Sequence, residues 1–213
     1  MDRRRFLTSA GALAGAAALA GATPLLLPDR PRTARGLQCT PYNAYGVQQC
    51  EAGIDSNRLD VTASQPQNAS QWCWAACIQG IFTYYGHPVS QQRIVHDTWG
   101  SVVNMPAQPY QIMGAVNRAW VDDRGRRFTA VGDTVSTNHV TAAQDLAEDH
   151  PLIIGTQGHA MVLTSLTYVR DAYGNGEVQF AEVRDPWPTN QRHRMLSPQE
   201  WYGIMFAARL RVD

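Results

Sequence analysis

Gln67-Asn68-Ala69-Ser70-Gln71-Trp72-Cys73-Trp74-Ala75-Ala76-Cys77-Ile78-Gln79-Gly80-Ile81-Phe82-Thr83-Tyr84-Tyr85-Gly86 is the stretch on which the fold turns. Up to Trp72 it is polar and aperiodic and reads as a loop. From there Trp74, Cys77, Ile78, Ile81, Phe82 and Tyr85 recur at i, i+3, i+4, i+7, i+8 and i+11, the spacing of a helix with one buried stripe. Gly86 ends it. Cys73 therefore sits at or just before the first turn. The N–H groups of a first turn are unpaired and carry about half a positive charge, which favours an anion. The thiolate is the reactive form of cysteine, so the position marks Cys73 as a candidate nucleophile. Cys77, one turn further along the stripe, reads as a packed core thiol.

Outward from this helix the chain is punctuated clearly. Leu59-Asp60-Val61-Thr62 reads as a short strand. Ser90 is an N-cap for a helix running to about Trp99. Another helix starts near Pro109 and carries Ile112, Met113, Val116 and Trp120 on one face. A fourth starts at Thr141, with Gln144 completing a capping box, and ends before Pro151. Leu152-Ile153-Ile154-Gly155 is a short buried strand. Met161–Val169 and Val178–Val183 flank the turn Asp171-Ala172-Tyr173-Gly174-Asn175-Gly176 and form a hairpin. A last strand covers Ile204–Val212. Helices first and antiparallel strands second argue for an α+β fold.

A cysteine nucleophile needs a histidine to take its proton, and the histidine needs a group that fixes its tautomer. The best histidine is His159, in Gly158-His159-Ala160-Met161, where Gly155 and Gly158 permit close backbone approach. His139 and His193 are its rivals; His87, His96 and His150 read as surface or loop residues. Asp185, in Arg184-Asp185-Pro186-Trp187-Pro188, stands at the end of the returning strand. In the hairpin His159 and Asp185 share its open end. Gln67, six residues before Cys73, offers a side-chain amide that with the N–H of Cys73 makes an oxyanion hole; Gln65 and Gln71 are alternatives. Trp187 is placed to shield the His159–Asp185 pair, and Trp72 to line a cleft. Cys73 and Cys77 alone lack the four ligands of a zinc site, and no cofactor is implied.

Cys73-Trp74-Ala75-Ala76, a glutamine six residues earlier, a later Gly-His-Ala and then Asp-Pro-Trp together resemble the papain-like cysteine peptidases. The likeness is to their compact bacterial branch, which includes leader-peptide-processing domains and secreted effector proteases. It covers roughly residues 59–213. It implies a helical N-terminal half packed on a C-terminal antiparallel sheet, with the active site in the cleft between them. It also implies hydrolysis of peptide bonds in a peptide or protein substrate, with Cys73 as nucleophile, His159 as base and acid, Asp185 as orienter and Gln67 as oxyanion donor. The same Cys-His-Asp set serves acyltransferases, amidases and transglutaminase-like enzymes, and a papain-like domain that has lost activity serves as a binding module.

The 213 residues allow one domain with an extension. The formal net charge is zero, with 18 basic and 18 acidic residues, so no basic face points to nucleic acid. Met1 to Ala22 reads as a cleaved signal: Arg3, Arg4 and Arg5, an apolar run from Phe6 to Ala20 too short to span a bilayer, then Ala20-Gly21-Ala22. Arg3-Arg4-Arg5-Phe6-Leu7 resembles the bacterial twin-arginine export signal. The expectation is a periplasmic or secreted protein, handed to the twin-arginine or general secretion machinery, with no stable membrane anchor. Residues 23–58, with scattered proline and glycine and no clear period, read as a linker and a small extension. Cys39 and Cys50 are its natural disulfide pair in an oxidising compartment. Free thiols, or a pairing of either with Cys77, remain open on sequence alone.

Overall fold

The computed structural model describes residues 35–62, 65–135 and 138–213. The expected signal, Met1 to Ala22, lies outside the described residues, as do residues 23–34. In chain order the elements are β1 (Arg35–Cys39), β2 (Val47–Gly53), α1 (Ser56–Thr62), α2 (Cys73–Tyr84), α3 (Gln91–Trp99), α4 (Pro109–Val116), β3 (Arg118–Val121), β4 (Arg127–Thr134), α5 (His139–Ala147), β5 (Leu152–Thr156), β6 (His159–Asp171), β7 (Gly176–Arg184), β8 (His193–Met195), α6 (Pro198–Tyr202) and β9 (Ile204–Val212). Helices packed on a large antiparallel sheet make this an α+β fold.

The nine strands of the described residues join one sheet, in the order β1-β2-β6-β5-β9-β4-β3, with β7 branching from β6 and β8 pairing with β7. The branch follows from the length of β6. Its first residues pair with β5 (Leu152↔Leu163 through Thr156↔His159) and its last with β2 (Gly53↔Ser165 through Val47↔Asp171). Those partners share one edge, which leaves the other edge for β7 (Val162↔Arg184 through Arg170↔Gly176). The N-terminal end of β6 is thus enclosed by β5 and β7, and there His159 stands.

The division into helical and sheet halves needs correcting, because β1 to β4 all precede residue 135. Residues 35–53, which read as linker and extension, form a hairpin that adds to the sheet. The Cys39–Cys50 disulfide crosses it between directly opposed residues. Alternation in Val47–Gly53 is masked in the sequence because Gln48 is buried at 7% exposure alongside Cys50 and Ala52. Residues 59–62 are helical and not a strand. Asp55 accepts from the N–H of Arg58 through Oδ1 and from that of Leu59 through its carbonyl, so a cap one turn upstream overrides the β-branched Val61 and Thr62.

Three smaller differences have similar causes. Trp120 lies on β3, since α4 ends where the Asn117 side chain pairs with the N–H and carbonyl of Gly132 on β4. Asn138, accepting from the N–H of Thr141, starts α5 two residues before the expected point. The helix α2 is buried on nearly every side, because Ala75, Ala76 and Gly80 let neighbouring elements approach closely. Its aromatic face packs edge-on: Phe82 meets Trp120 and Phe128 at centroid distances of 5.4 and 5.1 Å. Ser90 caps α3 as expected, accepting from the N–H of Arg93. Among the described residues no helix is long and apolar enough to cross a membrane.

Candidate active site

Cys73 is the first residue of α2. Trp72, at the N-cap, provides no side-chain acceptor for the first-turn N–H groups, so the positive end of a buried helix is turned toward the sulfur. The loop before Cys73 is heavily tied. The buried side chain of Gln91, on α3, donates to the Pro66 carbonyl and accepts from the N–H of Asn68, both at 2.9 Å. The N–H of Gln67 donates to the Pro186 carbonyl at 2.8 Å. The indole N–H of Trp72 donates to the Val103 carbonyl at 2.8 Å and that of Trp74 to the Met105 carbonyl at 3.2 Å. Trp72 itself is only 5% exposed. It fastens the 101–108 segment and does not line the cavity.

His159 is set by a two-residue hairpin turn. Gln157 and Gly158 both have positive φ, 51° and 77°, between the paired residues Thr156 and His159. That is the backbone a tight hairpin demands. Gly158 therefore serves the turn and meets nothing where a Cβ would stand, whereas Gly155 packs against Phe206. Across the sheet Asp185 follows directly on β7, whose Arg184 pairs with Val162.

These placements bring three of the four expected residues together. His159 Nε2 and Asp185 Oδ1 are 2.7 Å apart, which leaves the other ring nitrogen, Nδ1, free of Asp185; Cys73 and His159 line one cavity and lie within electrostatic reach of each other. Asp185 is 2% exposed. Its Oδ1 also accepts from the N–H of Trp187 at 2.9 Å, and its Oδ2 from Asn190 Nδ2 at 2.9 Å and Arg194 Nε at 2.8 Å. Trp187 sets its ring edge-on to the imidazole, centroids 6.2 Å apart, with 40% of its surface still exposed.

The charges follow from these contacts. Burial pushes the Cys73 thiol up. The hydrogen bond with His159, backbone hydrogen bonds with Ala160 and Trp74, and the imidazolium charge outweigh it and hold the thiol below its ordinary pKa. Burial pulls His159 down, but the bonds to Asp185 and Cys73 raise it to about 9. Burial alone would raise the Asp185 carboxyl; its bonds to His159 and Arg194 instead place it far below the carboxylate range. These contacts therefore favour a thiolate beside an imidazolium, backed by an ionised carboxylate, over the neutral pair. Cys77 shares none of this, and burial drives its thiol well above the usual value.

Gln67 is not brought into this group. It is 4% exposed, and its amide nitrogen donates to the carbonyls of Ala69 and Ser70 at 2.9 and 3.0 Å. Both amide hydrogens are thereby engaged in folding its own loop. The glutamine that lines the cavity at Cys73 is Gln71. Of the rival histidines, His193 pairs with Asp60 at 2.6 Å and His139 packs at a tilt against Tyr168, ring centroids 4.9 Å apart. Neither meets Cys73. Arg194, Asn190 and Gln91 were invisible to motif reading. Gln91 acts across more than twenty residues and Asn190 and Arg194 across irregular loops five and nine residues from Asp185; only the acidic N3 residue Glu200 after Ser197-Pro198 carries a local signal, a capping box.

Cys73 and His159 open onto a cavity of about 380 Å³. Trp74 and Ile112 form one part of its wall, Pro106 to Pro109 a second, and Met205 with Phe206 a third. Among the described residues no group of three His, Cys, Asp or Glu side chains is arranged to hold a metal.

A family model described as papain-like cysteine protease AvrRpt2 matches residues 55–201, more than half of the chain, from the start of α1 into α6, the span that carries these residues. No curated protein matches the chain. With Cys73 at the head of a buried helix and His159 and Asp185 facing it from the sheet, the chain belongs to the family of papain-like cysteine proteases represented by AvrRpt2.

Proposed function

We propose that this protein is an exported cysteine peptidase that cleaves peptide bonds through a thioester on Cys73. The observation that carries the reading is the imidazole of His159 held through Nε2 by Asp185 Oδ1 and lining, with Cys73, one open cavity. The thiolate attacks the scissile carbonyl carbon, and the carbonyl electrons move onto oxygen. The N–H of Cys73 at the uncapped helix head binds that oxyanion. Collapse of the intermediate breaks the C–N bond, and His159 gives its proton to the departing amine. Neutral His159 then takes a proton from water, whose oxygen attacks the thioester and releases the acid and the thiolate. Asp185 holds the imidazole in the required orientation throughout. Gln67 contributes to the oxyanion hole only by releasing one of its two loop carbonyls. The mostly apolar wall of the cavity suits a substrate with an apolar side chain near the scissile bond.

The export half of the reading rests on Arg3-Arg4-Arg5, the apolar run after it and Ala20-Gly21-Ala22. A protein carrying the Cys39–Cys50 disulfide fits an oxidising compartment.

The test is incubation of the wild-type chain and Cys73→Ala with a peptide library, with and without an added primary amine, followed by mass spectrometry. Hydrolysis products from the wild type alone support a peptidase. Amine adducts as the main product convert the reading to acyl transfer, and equal turnover by Cys73→Ala ends it. Mass spectrometry of the exported protein fixes its N-terminus; an intact Met1–Ala22 segment defeats the export reading.

A further inference from the structure

We propose that Arg194, clamped by Glu200, is a positioning residue for the reacting set: it locks the Asp185 carboxylate with one oxygen toward His159 and offsets that carboxylate's charge. The proposal rests on Cys73, His159 and Asp185 being the groups that react. Its basis is how the donors on Asp185 are divided. Oδ1 receives His159 and the Trp187 N–H, and Oδ2 receives Asn190 and Arg194. A buried carboxylate with donors on both oxygens cannot rotate without breaking several bonds at once. Of the two donors on Oδ2, Asn190 comes from an exposed loop position and Arg194 from β8, where Val183↔Arg194 pairing fixes its backbone.

Arg194 is itself held as a fork. While Nε faces Asp185, Nη2 and Nη1 donate to Glu200 Oε1 and Oε2 at 2.7 and 3.1 Å. Nη2 also lies 3.2 Å from Met161 Sδ. Glu200 is fixed in turn by the capping box of α6, with the Ser197 N–H donating to Oε2 at 2.8 Å. An exposed salt bridge would have no such downstream consequence. Here one arginine joins two carboxylates, one of which faces the catalytic imidazole. Only guanidinium spans both with planar paired donors. The titratable and charged groups acting on His159 and Asp185 are Cys73 and Cys77 from α2, Arg184 from β7, Arg194 from β8 and, through Arg194, Glu200 from α6.

The test compares the full chain with Arg194→Met, Arg194→Lys and Glu200→Gln. Two readouts are used: the pH dependence of Cys73 alkylation by iodoacetamide, located by peptide mapping, and the pH profile of kcat/KM. Loss of the guanidinium makes the site more negative, so in Arg194→Met the acid and alkaline limbs both move to higher pH. A displacement on the order of one pH unit lowers alkylation on the acid limb about tenfold. Glu200→Gln removes a negative charge and moves the limbs the other way, while its amide keeps the cap. Arg194→Lys keeps the charge and returns the limbs to their wild-type positions. A merely structural role lowers thermal stability and moves no limb. Limbs of Arg194→Met that coincide with those of the wild type, or shifts of the same sign in Arg194→Met and Glu200→Gln, overturn the proposal. A wild-type Cys73 no more reactive than an ordinary thiol overturns the reading of the site itself, and the proposal with it.

Discussion

The backbone N–H of Gln67 donates to the carbonyl of Pro186 across 2.8 Å, and this bond fastens the loop that feeds Cys73 to the loop that carries Asp185. The side chain of Gln67 folds the same loop inward onto Ala69 and Ser70. Gln67→Ala therefore removes a donor from the Ala69 carbonyl, which keeps the Trp72 N–H, and from that of Ser70, at a cost of about 1 kcal/mol, and thermal denaturation should show it. Gln71→Ala, at a residue exposed on the cavity wall, should leave Tm unchanged and lower kcat. Loss of an oxyanion donor costs about 10²–10³-fold in kcat. A fall of that size in Gln67→Ala with an unchanged Tm assigns the oxyanion to Gln67 instead.

The ion pair predicts a definite pH behaviour. The Cys73 thiol is held below its ordinary value and His159 is raised to about 9, so kcat/KM should decline as pH passes about 9 and should persist to lower pH than an ordinary thiol allows. Stability follows the same sign. His159 has a folded pKa above the 6.5 of a free imidazole. Its contribution is complete below the unfolded value and disappears as pH rises through about 9. The Tm difference between wild type and His159→Gln should accordingly shrink on going from neutral to strongly alkaline buffer. A difference that grows with pH contradicts the assignment.

The side chains of the proposed reacting set should not be equivalent. His159→Ala removes the proton carrier and should cost on the order of 10⁴-fold in kcat. Asp185→Ala leaves the imidazole in place but loses its orientation and the raised pKa, and should cost less, about 10²-fold. Single-turnover kinetics on the two variants decides the order. The reverse ranking means that Asp185, and not His159, carries the proton.

What could be read in the sequence, and what could not, divides along a physical line. Cys73, His159 and Asp185 were legible because each sits at the end of an element whose period or turn residues are local: the stripe from Trp74, the Gly158 turn, the strand ending at Arg184. The helices from Ser90 and Pro109 were legible for the same reason. The hairpin of β1 and β2 was hidden by polar residues buried within it, and Leu59-Asp60-Val61-Thr62 misled because a capping residue outside the window decides its state. The alternation of Phe128, Ala130 and Gly132 on β4 is visible once Asn117 is known to stop the preceding helix. Gln91 acts across more than twenty residues, and Asn190 and Arg194 reach Asp185 from an aperiodic loop and the short strand after it; neither a distant partner nor an aperiodic loop leaves a local pattern.

The disulfide lies at the far end of β6 from His159, since Cys50 pairs with Tyr168. Closing an 11-residue separation should contribute about 3 kcal/mol. The Cys39→Ala, Cys50→Ala double variant should lower Tm and leave kcat/KM within about twofold. Loss of activity at temperatures where the variant is still folded shows that the hairpin supports the site and contradicts this separation of roles.

Asn104 offers the cleanest way to loosen the wall of the cavity without touching the reacting groups. Its Oδ1 accepts from the N–H of Gln71 and its Nδ2 donates to Ser70 Oγ, both at 2.9 Å. It thus ties the 101–108 segment to the residues just before Cys73. The side chain is exposed, so Asn104→Ala leaves no core void, and its stability cost should stay near 1 kcal/mol. Pro106 to Pro109, which follow it, line the cavity. A loosened wall weakens substrate contacts formed before and during the reaction alike, which raises KM and spares kcat. The expected result is a KM about three- to tenfold higher, an unchanged kcat and an unchanged alkylation rate at Cys73. A fall in kcat with KM constant places this segment in transition-state stabilisation and not in binding.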